Sequence, residues 1–311
     1  MPAEFVDLSE RHPVEIHSLG LVRLGSTVVD EWRTFASDIL GMQVSDGPDS
    51  GLLLRMDDRP YRIAIVPSSS DRVLASAFEV RDRKTLQDAV RELEAAGVAV
   101  KEGSADEAAA RQVEAFVEFE DPNGNPLEIF YSQAVDGLEA QLPFGGGFVT
   151  GALGCGHVVL PSADLDAAFD FYTTVMGFRH RDSMAIHLPD GNRLRLRFIG
   201  CNPRHHTIAL TASQSPQGLR HMMIEADSIK TFGRTYARAR EAGALKTELG
   251  QHSNDEVLSF YLFCPGGYEI EFGVHGRQVD DASWLTRDLT QLSYWGYWPV
   301  AAAVPGQPGT K

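Results

Sequence analysis

Apolar residues recur at helical spacing in two stretches of the chain. Trp32, Phe35, Ala36 and Ile39 form one stripe; Leu165, Ala168, Phe169 and Tyr172 form the other. Both stripes predict amphipathic helices that face a core. Each follows a short strand pattern opened by glycine, "GLVRLGS" and "GHVVLPS". Near the other end, "LSFYLFCPGGYEIEFG" (Leu258 to Gly273) reads as two strands around a Pro-Gly turn. Its two glutamates, Glu269 and Glu271, are two residues apart, so in a strand both point the same way.

Internal repeats organise the chain. "GLVRLGSTVVDEWRTFASDILGM" from Gly20 lines up with "GHVVLPSADLDAAFDFYTTVMGF" from Gly156, with Gly20 to Gly41 and Gly156 to Gly177 both 21 residues apart. "FEVRDRKTLQDAVRELEAAG" from Phe78 matches "IEADSIKTFGRTYARAREAG" from Ile224, with lysine to glycine 13 residues in each. "DPNGNPLEIF" from Asp121 matches "CPGGYEIEF" from Cys264, and proline to glutamate is six residues in both. Three matches in one order mean that the second half duplicates the first. Each half reads as strand, helix, strands, twice over, an α+β pattern. The expected division is residues 1–135, a Gly-rich linker 136–151, residues 152–290, and a Pro- and Gly-rich tail 291–311 that ends frayed.

Composition narrows the function. The 311 residues are 43% hydrophobic, enough for two domains, and the net charge of −15 argues against sequence-independent binding to nucleic acid or to anionic membranes. Three cysteines, Cys155, Cys201 and Cys264, form no CxxC pair and suit a reducing compartment. No basic-led apolar segment opens the chain and no apolar run reaches about 18 residues. The expectation is a soluble cytoplasmic protein.

The repeat separates shared scaffold from local chemistry. Glu271 aligns with Glu128, whereas Glu269 aligns with Pro126, which places 269 at a strand start and makes Glu271 the inward carboxylate. His157 aligns with Leu21, and His221 aligns with Ala75. The second half thus carries His, His and Glu on three strands where the first carries Leu, Ala and Glu. A single histidine on a strand is more often a satisfied core residue than a ligand. Three ligand-type residues at matched positions, two of them apolar in the sister copy, point instead to a facial triad. Such a triad suits non-haem Fe(II), with Mn(II) or Zn(II) also compatible with the ligand types.

These residues, with "GQHSNDEVLSFYLFCPGGYEIEFG", resemble the type I extradiol catechol dioxygenases of the vicinal oxygen chelate superfamily, most of all the biphenyl-2,3-diol 1,2-dioxygenase group. The resemblance runs from about Val14 to Gly273 and departs from the family at Cys264, a turn position before the proline. It implies four βαβββ modules, two per domain, with a metal-free N-terminal domain and a metal-binding C-terminal one. It implies His157, His221 and Glu271 as ligands to Fe(II), with Mn(II) an alternative. It further implies His206, the second histidine of "RHHT", with His252 and Tyr261 as catalytic residues, and Phe198, Asn254 and Asp255 as the substrate pocket. His206 would take the catechol's proton and later return one, a role suited to a histidine near neutral pH. Tyr261 and His252 would donate to the substrate oxygens. His205 is read as a surface or supporting residue, and His12, His17, His180, His187 and His275 carry no functional claim.

The implied reaction is cleavage of a catechol ring beside its diol with both atoms of O2 incorporated, by a homo-oligomer that acts on a small molecule. The two-domain form and "HSND" favour a bicyclic or 3-substituted catechol, with pocket shape set by the connection "RHRDSMAIHLPDGNRLRLRF" and by "WGYWPV". Two rivals remain at this point. A glyoxalase-like isomerase or transferase would need a fourth protein ligand, and Leu21, Ala75 and Phe198 offer none. A non-catalytic aromatic-binding protein would have no use for the triad.

Overall fold

The computed structural model describes residues 14–187 and 191–300. His12 and the segment 301–311 lie outside these described residues. The strands fall into four βαβββ modules followed by two further strands. The first module is β1 (Ser18–Ser26), α1 (Val29–Thr34), β2 (Gln43–Asp46), β3 (Leu52–Arg55) and β4 (Ile63–Pro67). The second is β5 (Arg72–Val80), α2 (Arg83–Ala95), β6 (Lys101–Glu102), an extra helix α3 (Ala105–Arg111), β7 (Val113–Glu120) and β8 (Pro126–Gln133). The third is β9 (His157–Pro161), α4 (Leu165–Asp170), β10 (Arg179–His187), β11 (Arg193–Gly200) and β12 (Ile208–Thr211). The fourth is β13 (His221–Ala226), α5 (Ile229–Glu241), β14 (Gly250–His252), β15 (Leu258–Phe263) and β16 (Glu269–Val274). β17 (Arg287–Leu289) and β18 (Ser293–Gly296) follow.

The duplication is visible in strand order. The first sheet runs β2-β3-β4-β1-β5-β8-β7-β6, and the second repeats that order as β10-β11-β12-β9-β13-β16-β15-β14, with β17 and β18 added at its two edges. In each sheet the two modules join through an antiparallel pair, β1 with β5 and β9 with β13. The repeated Lys-Thr has a local cause. Thr85 and Thr231 present their backbone N–H groups to the capping side chains of Asp82 and Ser228, and so start two helices of 13 residues each.

One continuous core takes the helix stripes of both halves. Trp32, Ala36, Ala168 and Tyr172 are all buried in it. Hydrogen bonds tie the halves across it: Tyr172 donates to Asp121 of the first half (3.1 Å), and Tyr268 donates to the carbonyl of Gly25 (2.7 Å). Two smaller cores fill the concave faces, one around Leu21, Tyr61 and Phe116, the other around Val159, Phe198 and Ala209.

Two expectations change. Residues 291–300 are no frayed tail: β18 pairs with β14, and the backbone of Trp298 and Val300 bonds with Glu248 and Lys246. The stretch "RHRDSMAIHLPDGNRLRLRF" shapes the pocket as expected, but as a hairpin of β10 and β11 whose Leu194, Leu196 and Phe198 line it rather than as a loop, with residues 188–190 outside the described ones. Local pattern shows alternation but not partners. Pairing of β18 with β14 depends on residues about 45 positions apart in sequence, where no turn signal guides the reading.

Candidate active site

The site follows from sheet register. Met223 of β13 stands opposite His157 of β9 on one side and Glu271 of β16 on the other, so those two side chains share the concave face. His221 lies two residues before Met223 on β13 and therefore faces the same way. Tyr261 of β15 stands opposite Glu271 and extends the row. Glu269 begins β16, half-buried and ion-paired with Lys246, as expected of a strand-start residue.

Glu271 is 1% exposed and sits among three imidazoles. Its Oε2 is 3.2 Å from His221 Nε2 and 3.6 Å from His157 Nε2; its Oε1 is 3.3 Å from His252 Nε2. Donor atoms of His157, His221 and Glu271 all fall within 4.8 Å of one another. Ligands at about 2.1 Å from one ion stand about 3 Å apart when adjacent, so this set fits a single divalent ion with little movement. His206 and Asp255 lie close enough to His157 to form a second cluster that shares it. Their protein partners, given below, leave the first set as the better ligand group.

The electrostatics suit metal binding. Burial opposes ionisation of Glu271, yet His252 and the other imidazoles hold its carboxyl well below the usual range. Burial keeps His221 and His206 neutral by pushing their pKa down, with His157 adding to the effect on His206. His252 goes the other way. Burial lowers it, but the Glu271 carboxylate and then Asp255 outweigh that and raise it to about 9. A charged His252 donates from Nδ1 to the carbonyl of Leu292 (3.1 Å) and from Nε2 towards Tyr261 Oη (2.9 Å). The Tyr261 hydroxyl hydrogen is then free to point into the cavity. Its own ionisation is suppressed by burial and by Glu271.

Phe198 stands edge-on to His206, ring centres 5.0 Å apart, and forms the wall of the cavity. The structure brings His157, Phe198, His206, His221, His252, Asn254, Asp255, Tyr261 and Glu271 to one cavity of about 50 Å³. A wider space of about 290 Å³ opens beside it past Leu194, Leu196, Leu292 and Tyr297. A larger cavity, about 640 Å³, lies over Lys101, Glu118 and Pro126 of the first half and holds no imidazole.

Sequence reasoning missed four residues. Ser259 donates to Glu271 Oε1 (2.5 Å) and accepts from Tyr297 Oη (2.6 Å). Ser259 was findable, being two residues before Tyr261 on the same strand; Tyr297 lies in "WGYWPV", the segment expected to shape the pocket, and lines it, but its bond to Ser259 was not foreseen. Asp182 and Arg287, described below, lie behind His205. In the first half, Leu21 and Ala75 occupy the places of His157 and His221, and Glu128 is held by Arg111 and Arg23 instead of facing histidines. Those two cations supply the charge that the second half leaves open.

Residues 154–272 match the Glyoxalase/Bleomycin resistance protein/Dioxygenase superfamily, and residues 19–67 match the first domain of dihydroxybiphenyl dioxygenase. An iron-dependent extradiol dioxygenase of Rhodococcus jostii (strain RHA1) is 43% identical over 91% of this chain and 97% of its own. This chain belongs to the extradiol dioxygenases. A biphenyl-2,3-diol 1,2-dioxygenase of Paraburkholderia xenovorans (strain LB400) is 35% identical over 91% of this dioxygenase and 96% of its own length. Among solved structures, a halotolerant catechol dioxygenase superposes with a TM-score of 0.86 at 31% identity, covering 92% of this dioxygenase and 95% of that chain. The fold of this dioxygenase is therefore the glyoxalase-like one that the module pattern implied. No helix among its described residues is long and apolar enough to cross a membrane.

Proposed function

We propose that the protein is an Fe(II)-dependent ring-cleaving enzyme for a bicyclic or 3-substituted catechol, with His157, His221 and Glu271 as ligands and Mn(II) as an alternative ion. The observation that carries this reading is the row His157–Met223–Glu271 with His221 on the same face, opening on a cavity. When bound there, a divalent iron supplies open positions for a chelating diol and for O2, and a path for a reaction that spin otherwise slows. The wider space beside the cavity, walled by Leu194, Leu196 and Leu292, suits a ring substituent. Relatives named for biphenyl-2,3-diol, 3-methylcatechol and 1,2-dihydroxynaphthalene support that substrate class. We further assign residues 152–290 together with β18 to the catalytic domain, and place the enzyme in the cytoplasm as a homo-oligomer.

In this reading His206 accepts the proton that a catechol hydroxyl gives up and returns one when the ring opens. Tyr261 donates to a substrate oxygen, and His252, whose Nε2–H bonds the Tyr261 oxygen (2.9 Å), turns that hydroxyl towards the ring and holds it in place. Phe198 packs against the ring, and Asn254 and Asp255 complete the polar wall. The rival binding-protein reading leaves this set of donors without a purpose.

The test is oxygen uptake by protein loaded anaerobically with Fe(II), and in parallel with Mn(II), against a panel of catechols that includes 2,3-dihydroxybiphenyl. One O2 consumed per catechol, with a yellow product, is expected. Tight catechol binding with no O2 uptake under either metal would sink the reading. Ser259→Ala is expected to weaken metal retention by about 10- to 100-fold in competition with a chelator, because it removes the donor that orients Glu271. Retention equal to the parent would reduce Ser259 to packing.

A further inference from the structure

Behind His206 stands a chain of buried polar groups that the reaction described above does not use. Asp182 of β10 is fully buried and stands opposite Arg287 of β17. Its Oδ1 accepts from the Arg287 backbone N–H (2.9 Å) and from Nε (3.2 Å). Its Oδ2 accepts from Arg287 Nη2 (2.6 Å) and lies 3.0 Å from His205 Nε2. The other ring nitrogen of His205, Nδ1, lies 3.1 Å from His206 Nδ1. His205 is 1% exposed, its ring edge-on to Trp284 at 5.2 Å.

Donor arithmetic sets the protons. A carboxylate only accepts, so the His205 proton sits on Nε2. The Nδ1 of His205 is then an acceptor, and the hydrogen between the two rings must belong to His206 Nδ1. The Asp255 carboxylate, 3.7 Å from His206 Nδ1, favours the same position. His206 Nε2 is left as the ring's unprotonated nitrogen.

We infer that Arg287, Asp182 and His205 are positioning residues that lock His206 in its Nδ1–H tautomer, so that Nε2 is ready to receive the substrate proton. This rests on the ring-cleavage reading above. The transfer is balanced: the catechol O–H bond breaks, an N–H bond forms at Nε2, and His206 becomes an imidazolium whose Nδ1–H still points at His205. Nothing is oxidised in this step.

Asp182→Asn tests the chain. The Arg287 backbone N–H and Nε keep the amide oxygen at the Oδ1 place, so the NH2 group takes the Oδ2 place, loses the bond from Arg287 Nη2, which must turn aside, and donates to His205 Nε2. His205 then carries its proton on Nδ1, and His206 is driven to Nε2–H. With Fe(II) and 2,3-dihydroxybiphenyl, kcat is expected to fall by about 100-fold or more, the scale of a lost general base, while KM stays within about threefold. Nitrogen-15 spectra of full-length, histidine-labelled, Zn(II)-loaded protein read the tautomer directly. The parent His206 should show an unprotonated Nε2, and Asp182→Asn a protonated one. His205→Phe keeps the ring volume and leaves Asp182 its three Arg287 donors, so it serves if the amide variant fails to fold. Its His206 signal should divide between both tautomers, with reduced kcat. A parent His206 already protonated at Nε2, or variants that keep the parent tautomer and kcat, would overturn the inference. Absence of ring cleavage by the parent would count against the function alone, since the zinc-loaded spectra still decide the tautomer.

Discussion

Glu271→Gln is expected to yield a folded protein that holds no metal and has lost ring cleavage by more than about 100-fold, beyond the range seen when only a supporting partner of a ligand is removed. The amide is isosteric, so packing survives, but no orientation of it suits the site. With NH2 towards His157 and His221 it donates to the nitrogens that the metal needs. With NH2 towards Ser259 and His252 it meets two donors. Metal content by plasma mass spectrometry after Fe(II) loading checks the first part; retention near one ion per chain would remove Glu271 from the ligand set. The same substitution has a signature in the metal-free protein. His252 is raised from 6.5 to about 9, with Glu271 the main group opposing burial, so its contribution to stability is full below pH 6.5 and is lost as pH rises through about 9. Metal-free parent protein should therefore weaken across that window, and Glu271→Gln should show little of the decline. Urea melts at pH 6 and pH 9 read the difference.

The second large effect lies in the half without the triad. Arg111→Met should cost about 3–5 kcal/mol, the scale for stripping one partner from a buried ion pair. Glu128 is 2% exposed; Arg111 reaches it through Nε (3.2 Å) and Nη2 (2.8 Å), reaches Glu118 as well, and stacks on Phe116. Arg23 would remain as the only cation bonded to Glu128 among the described residues, and it is partly exposed. Removing both charges, Arg111→Met with Glu128→Leu, should restore most of the loss, because an apolar pair of similar volume leaves no ion stranded. A urea midpoint for Arg111→Met close to that of the parent would show that Arg23 suffices. Metal content should be unchanged, since neither residue touches the second sheet's row.

Most of the architecture was legible because the chain carries its own alignment. Gly20 against Gly156, Lys84 against Lys230 and Glu128 against Glu271 mark the same places in two sheets of the same strand order. The clustering of His157, His221 and Glu271 was legible for the same reason: a histidine facing a leucine in a sister copy is informative without any other sequence. Asp182 and Arg287 were not legible, and Tyr297 was legible only as part of a segment expected to shape the pocket. Asp182 sits opposite Phe198 on the concave face, but its partner Arg287 belongs to an added edge strand that has no counterpart in the first half. Tyr297 likewise follows the other added strand. Where the repeat stops, its guidance stops, and long-range edge pairing leaves no local periodicity to read.

The added strand β18 also has a consequence for how the protein is made. Every strand of the first sheet lies between Ser18 and Gln133, so that sheet can pair while later residues are still being synthesised. The second sheet is different. The loop before β18 supplies Leu292 to the cavity, and Tyr297 follows β18 to reach Ser259, yet both emerge after all other described strands. His157, His221, His252 and Glu271 all precede that cover in the sequence. A chain truncated before Leu292 is thus expected to gather His157, His221, His252 and Glu271 in a pocket that lacks the Leu292 wall and the Tyr297 to Ser259 bond.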